Sequence, residues 1–174
     1  LTGVTGEIEE FVRTRTPALL RTAYLLTGGD QHAAEDLVQT ALERTAMKWR
    51  RLARHESADA YVRTVLYRLQ VDRWRRRGVV AEDVTDEPPE RIGDDPYDTA
   101  DVRLALRTAL ARLTPRQRAV LVLRFYDDLG ETRTAEVLGC SAGTVKSTTH
   151  LALRRLRESA PELAQLFGEG ITTT

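Results

Sequence analysis

The sequence predicts an all-α fold, with two small helical domains joined by an acidic flexible linker. Three observations carry that expectation. Nearly every segment sets its apolar residues at helical period, and almost none alternates as a half-buried strand would. Helix-stopping and helix-starting residues punctuate the chain at helix-length intervals, among them Gly28-Gly29-Asp30, Thr114-Pro115 and Gly139-Cys140-Ser141. Between Glu82 and Asp101, nine acidic residues and a single arginine, Arg91, stand among Pro88, Pro89, Gly93 and Pro96. Such a stretch cannot bury a core, so it divides the chain. The domains are expected at residues 1–77 and 101–160, with the linker at 78–100 and a tail at 161–174.

The period over Glu7 to Leu26 predicts a helix, or a helix pair interrupted near Pro17, closed by Gly28-Gly29. Asp30 is the expected N-cap of a long helix running to about Leu52, with Ala34, Leu37, Val38, Ala41, Leu42, Thr45 and Trp49 turned inward. A loop from Ala53 to Glu56 leads to Ser57 as the next cap. The helix that follows, Ala60 to Arg77, sets Val62, Val65, Leu66 and Leu69 toward a core. About a third of a turn away stand Arg63, Tyr67, Gln70, Trp74 and Arg77, at i, i+4, i+7, i+11 and i+14. Six arginines against one acid, Asp72, crowd this helix. Guanidinium groups interleaved with aromatic rings hold phosphates and stack unpaired bases at once. In the plainer alternative, Tyr67 and Trp74 cover the edge of a bundle and the arginines are only solvated.

The second domain opens with a helix from about Asp101 to Leu113. Thr114, Pro115 and Gln117 then form a capping-box signature that launches a helix from Arg116 to Tyr126. Its apolar surface is Val120, Leu121, Leu123 and Phe125, and Arg124 is expected to reach solvent or a partner. Asp127 to Gly130 breaks the helix. Glu131 to Arg157 then reads as helix, turn and longer helix, with Gly139 as a left-handed stop and Ser141 as N-cap. In the longer helix Val145, Thr149, Ala152 and Leu156 share one face, and Lys146, Ser147, His150, Arg154 and Arg157 lie opposite. Four Lys/Arg residues and no acid fall between Ala142 and Arg157. A buried stripe backed by a basic, hydrogen-bonding stripe suits a helix that enters the DNA major groove, although helix pairs with a merely solvated basic face also occur in bundles. Beyond Arg157, Pro161 disturbs the helix and Gly168 to Thr174 reads as a frayed tail.

Totals exclude several classes. Net charge is zero, from 26 basic and 26 acidic residues, but the charges are segregated and local patches decide binding. A single cysteine, Cys140, excludes an internal disulfide and a cysteine-rich zinc site, and its place in the turn favours a small buried residue over a reactive thiol. His32, His55 and His150 lie in separate segments without metal spacing. No nucleophile motif or phosphate loop is present, so no catalytic residue, metal or cofactor is expected. The longest apolar run, Ala119 to Leu123, is too short for a membrane, and no signal segment opens the chain, so a cytoplasmic protein is expected.

Three stretches together resemble a known family. Ala34-Glu35-Asp36-Leu37-Val38-Gln39, Tyr61 to Arg77, and Leu113-Thr114-Pro115-Arg116-Gln117-Arg118 through Gly143-Thr144-Val145-Lys146-Ser147 are similar to regions 2 and 4 of the extracytoplasmic-function sigma factors of bacterial RNA polymerase, in their short actinobacterial form. The resemblance covers residues from about 7 to 160. It implies that Asp36 and Gln39 grip the clamp helices of polymerase core, with Thr40 where an acid is usual. It implies that Arg63, Tyr67, Gln70, Trp74 and Arg77 face the −10 element. Lys146, Ser147, His150 and Arg154 would face the −35 element. The family often carries arginine where this chain has Thr148 and Leu151, which implies fewer bidentate contacts to guanine and a different −35 preference. The loop Arg51 to Asp59 resembles the one that pockets a flipped-out −10 base.

The resemblance thus implies a non-enzymatic specificity subunit, monomeric when free, whose partners are polymerase core and promoter DNA. Many relatives are held by an anti-sigma factor that clasps both domains, so such a partner is an expectation here too. The linker of 23 residues at 78–100 reaches at most about 80 Å when extended. Two turns of DNA measure about 70 Å, so one chain could hold both promoter elements. The alternative is a stand-alone helix-turn-helix regulator whose first domain is a sensor or dimerisation module. Such a module has no need for the Arg-Trp-Arg face on Ala60 to Arg77.

Overall fold

A computed structural model describes residues 3–55, 58–77 and 100–161, and among these all regular structure is helical. The first helix, α1 (Val4–Leu26), runs through Pro17 unbroken, which settles the choice the sequence left between one helix and two. Leu19 and Ala23 on its inner face pack with residues of the second and fourth helices, and that packing keeps its two halves continuous. Gly28 and Gly29 close it at φ +72° and +90°, in the left-handed region where a side chain is strained. Asp30 then caps α2 (Gln31–Met47), its carboxylate accepting from the Ala33 N–H at 2.9 Å.

The second helix ends at Met47 and not near Leu52. A short helix, α3 (Trp49–His55), follows, so residues 53–55, expected in a loop, are helical. The cause is Trp49. Its ring is buried, tilts against Phe11 at 5.1 Å, and directs Nε1 at the Glu7 carboxylate. Seating that ring on α1 turns the chain before α3 restarts. The expected cap Ser57 lies outside the described residues, as do the linker positions 78–99 and the tail from 162. The fourth helix, α4 (Ala58–Arg76), buries Val62, Leu66 and Leu69 against α1 and α2, as the periodicity predicts.

In the second half, α5 (Ala100–Ala111) is followed by α6 (Pro115–Leu121), whose capping box is fully formed. Thr114 Oγ1 accepts from the Gln117 N–H, and Gln117 Oε1 accepts from the Thr114 N–H, both at 3.2 Å. The helix expected to reach Tyr126 as an α-helix instead widens into a π-helical turn over Val122–Tyr126. The Asp127 N–H reaches the Val122 carbonyl, and the Leu129 N–H the Leu123 carbonyl. That wider turn frees Asp127 to point back at the first half. Arg124, expected to reach outward, folds back onto the Leu129 carbonyl at 2.9 Å and lies 3.7 Å from Glu131. The last pair, α7 (Glu131–Leu138) and α8 (Ala142–Ser159), joins through Gly139 at φ 65° with Ser141 as N-cap.

Apolar residues form one core among α1, α2 and α4 and another among α5, α6 and α8. A third cluster is shared between the halves. Leu26, Tyr67 and Val71 from the first half pack with Val120, Leu123, Val137, Leu138 and Val145 from the second.

Candidate nucleic-acid interface

Helix α8 builds the outward surface. Ser141 Oγ accepts from the Thr144 N–H at 3.1 Å, and Val145, Ala152, Leu153 and Leu156 are buried. With that stripe sunk into the fold, Lys146, Ser147, His150 and Arg154 are all exposed on the other side. Arg155 is turned inward and donates to Gln117 Oε1 at 3.2 Å, so it is held by the capping box of α6. Ser147 Oγ donates to the Thr144 carbonyl at 3.1 Å, and the positive side chains of Lys146 and Arg154 stand on the outer face of the helix. The arrangement can meet phosphates and base edges without rearrangement. Cys140 in the preceding turn is half-buried against the shared apolar cluster.

The face of α4 is placed differently. Tyr67 is 4% exposed and Gln70 is 7% exposed, while Arg63 and Trp74 are half-buried. The second half of the chain covers them. Tyr67 Oη donates to Asp127 Oδ2 at 2.6 Å, and Arg63 NH1 donates to Asp127 Oδ1 at 3.0 Å. Thr22 of α1 reaches the same carboxylate. Burial, then the bond to Asp127, pushes the Tyr67 phenol above its ordinary value. Burial would lower the Arg63 pKa, but Asp59, Tyr67 and Asp127 outweigh it and hold it above its usual range. Gln70 Nε2 donates to the Leu26 carbonyl at 3.0 Å, and its Oε1 has no partner. Trp74 packs on the shared cluster, and Arg77, just past the helix end, is exposed.

A crevice between the halves is lined by Asp30, Gln70, Arg73, Trp74, Arg77 and Arg118. Arg118 is nearly buried, and desolvation draws its pKa down to about 10, which leaves it charged at neutral pH. Its donors go to the carbonyls of Leu110, Leu26 and Leu113. Gly28 makes room for it, since a Cβ there would fall 2.7 Å from the guanidinium carbon.

On α2, Asp36 and Gln39 are exposed, opposite the buried Leu37, Val38 and Ala41. Gln39 Nε2 donates to Glu43 Oε1 at 3.1 Å. The structure therefore sets the α2 and α8 residues outward, while Arg63 and Tyr67 of α4 meet at Asp127 under the second half, Gln70 and Trp74 are covered apart from them, and Arg77 stays exposed. Sequence reasoning missed Asp127, Asp59 and Arg118. Asp127 reads only as a helix breaker, and no period or spacing links it to residues some sixty positions earlier. Among the described residues no helix is long and apolar enough to cross a membrane, and no group of three acidic, His or Cys side chains is gathered as for a metal.

Comparison with known proteins agrees with this layout. Sigma-70 region 2 matches residues 11–79, and Sigma-70 region 4 matches residues 103–156. The RNA polymerase sigma-E factor of Streptomyces coelicolor is 45% identical over 152 residues, covering 87% of this chain and 85% of that protein. The ECF RNA polymerase sigma factor SigL of Mycobacterium tuberculosis is 36% identical over 154 residues, covering 83% and 84%. Among solved structures, the sigma factor RpoE in complex with the anti-sigma factor NepR from Bartonella quintana is similar, with a TM-score of 0.63 and 26% identity, over 87% of this chain and 95% of that one. The chain therefore belongs to the sigma-70 family, as an extracytoplasmic-function sigma factor that binds RNA polymerase core and directs promoter-specific transcription initiation.

Proposed function

We propose that the two halves divide the work: residues 1–77 engage core and the −10 strand, and residues 101–160 read the −35 element. The observation that carries this reading is the exposed stripe Lys146, Ser147, His150 and Arg154, backed along α8 by buried Val145, Ala152 and Leu156. A helix so mounted enters a major groove without losing its own core. Asp36 and Gln39 meet core through the outer face of α2. Arg63, Tyr67, Gln70, Trp74 and Arg77 take the opened −10 strand, stacking and phosphate contacts offsetting part of the cost of unstacking. The subunit performs no reaction of its own and acts in the cytoplasm, where polymerase is. An anti-sigma factor is the regulator we infer, because the similar Bartonella quintana sigma factor is bound by one.

The test is reconstitution. The chain co-elutes with core polymerase on gel filtration and confers run-off transcription from a cognate promoter. Lys146→Ala weakens binding of the holoenzyme to −35 DNA and lowers the slope of log affinity against log salt by about one. A chain that elutes apart from core, or an unchanged slope, would refute the respective assignment.

A further inference from the structure

We propose that Leu151 is a specificity-determining residue of α8, one that contacts the C5 methyl of a thymine in the −35 major groove. This rests on the reading that α8 lies in that groove. Leu151 is 44% exposed, and among the described residues it is the one large apolar side chain that α8 turns outward. Val4, Met47, Leu104 and Tyr126, the other large apolar side chains so exposed, lie on other elements. Leu151 stands in the third turn of α8, with Ser147 a turn before it and Arg154 a turn after. Its neighbours along the i, i+4 row leave that spot poor in donors. Ser147 Oγ donates to the Thr144 carbonyl at 3.1 Å, and Arg155 is drawn inward to Gln117 Oε1 at 3.2 Å. Lys146 and Arg154 are exposed on the same side and suit the flanking phosphates. An uncovered leucine gains by leaving water only against another apolar group, and among base edges in the major groove only thymine carries one. A donor-poor spot on a basic face therefore fits thymine and offers nothing to the acceptors of guanine.

The experiment uses holoenzyme reconstituted with core polymerase and duplexes of a cognate promoter. Thymines on either strand of the −35 element are replaced one at a time by uracil, which pairs identically and lacks only the methyl. At one position uracil weakens wild-type binding about fourfold, the cost of returning one methyl to water. Holoenzyme carrying Leu151→Ala binds the thymine and uracil duplexes equally at that position. Its slope of log affinity against log salt stays at the wild-type value, because an apolar contact releases no counterions. Leu151→Arg moves the preference at the same base pair from thymine toward guanine. Both variants keep their helicity by circular dichroism, since the position is exposed. Uracil tolerated at every position, or an equal penalty in wild type and Leu151→Ala, would overturn the assignment. If Lys146→Ala still lowers the salt slope in that case, the −35 reading stands without Leu151. If the slope is unchanged as well, the −35 reading fails and the role of Leu151 with it.

Discussion

Asp127 sits in a loop, yet Thr22, Arg63 and Tyr67 all converge on its carboxylate. A buried carboxylate is costly unless its lone pairs are taken, and here a phenol and a guanidinium take them. The same contact fixes the behaviour of Tyr67. Its folded pKa lies above the unfolded value near 10, so the native state holds the phenol proton more tightly. The resulting stabilisation is complete below about pH 10 and is lost as the pH rises beyond it. Ultraviolet titration of the native protein should therefore show a phenol that ionises late. Tyr67→Phe should remove that late step; a late step that survives the substitution belongs to another phenol. Arg118 solves the opposite problem. It is a buried cation with carbonyls for partners, which is why it ties α6 to the end of α1.

At the scale of elements, a capping box supports the short helix α6. It has seven residues, too few to be stable alone, whereas the eight-residue α7 has no side-chain cap and buries Thr134, Ala135, Val137 and Leu138 instead. Thr114 and Ser141 each accept one of the orphan N–H groups at a helix start. Thr114→Ala and Ser141→Ala should each cost about 1 kcal/mol in urea unfolding. For Ser141→Ala the loss falls at the start of α8. An undiminished unfolding midpoint in either variant would show that packing, not the cap, sets the helix start. The π-helical turn after α6 presents Asp127 to α4.

For the whole molecule, the shared cluster of Leu26, Tyr67 and Val71 with Val120, Leu123 and Val145 couples the two halves. Both tryptophans, Trp49 and Trp74, lie in the first half, whereas helicity reports on both. If the halves unfold as one unit, tryptophan fluorescence and far-ultraviolet circular dichroism give the same urea midpoint. Separate midpoints would mean that the interface contributes little. Zero net charge fits a subunit with weak DNA affinity of its own, since strong non-specific binding would compete with core.

The helices, their caps and the buried stripe of α8 were legible in the sequence because each depends on neighbours within a few turns. Period placed Val62, Leu66 and Leu69 inward, and Thr114-Pro115-Gln117 announced its capping box. The exposure of Asp36, Gln39, Lys146 and His150 followed from the same local geometry. Where α2 stops, where Arg124 points and whether α4 shows its face to solvent were decided elsewhere. Trp49 turns toward Phe11, the π-helical turn re-aims Asp127, and the second half closes over Tyr67 and Gln70. Those outcomes rest on side chains far apart in sequence meeting in space. Only the tertiary fold brings such groups close enough for burial and charge to choose between them.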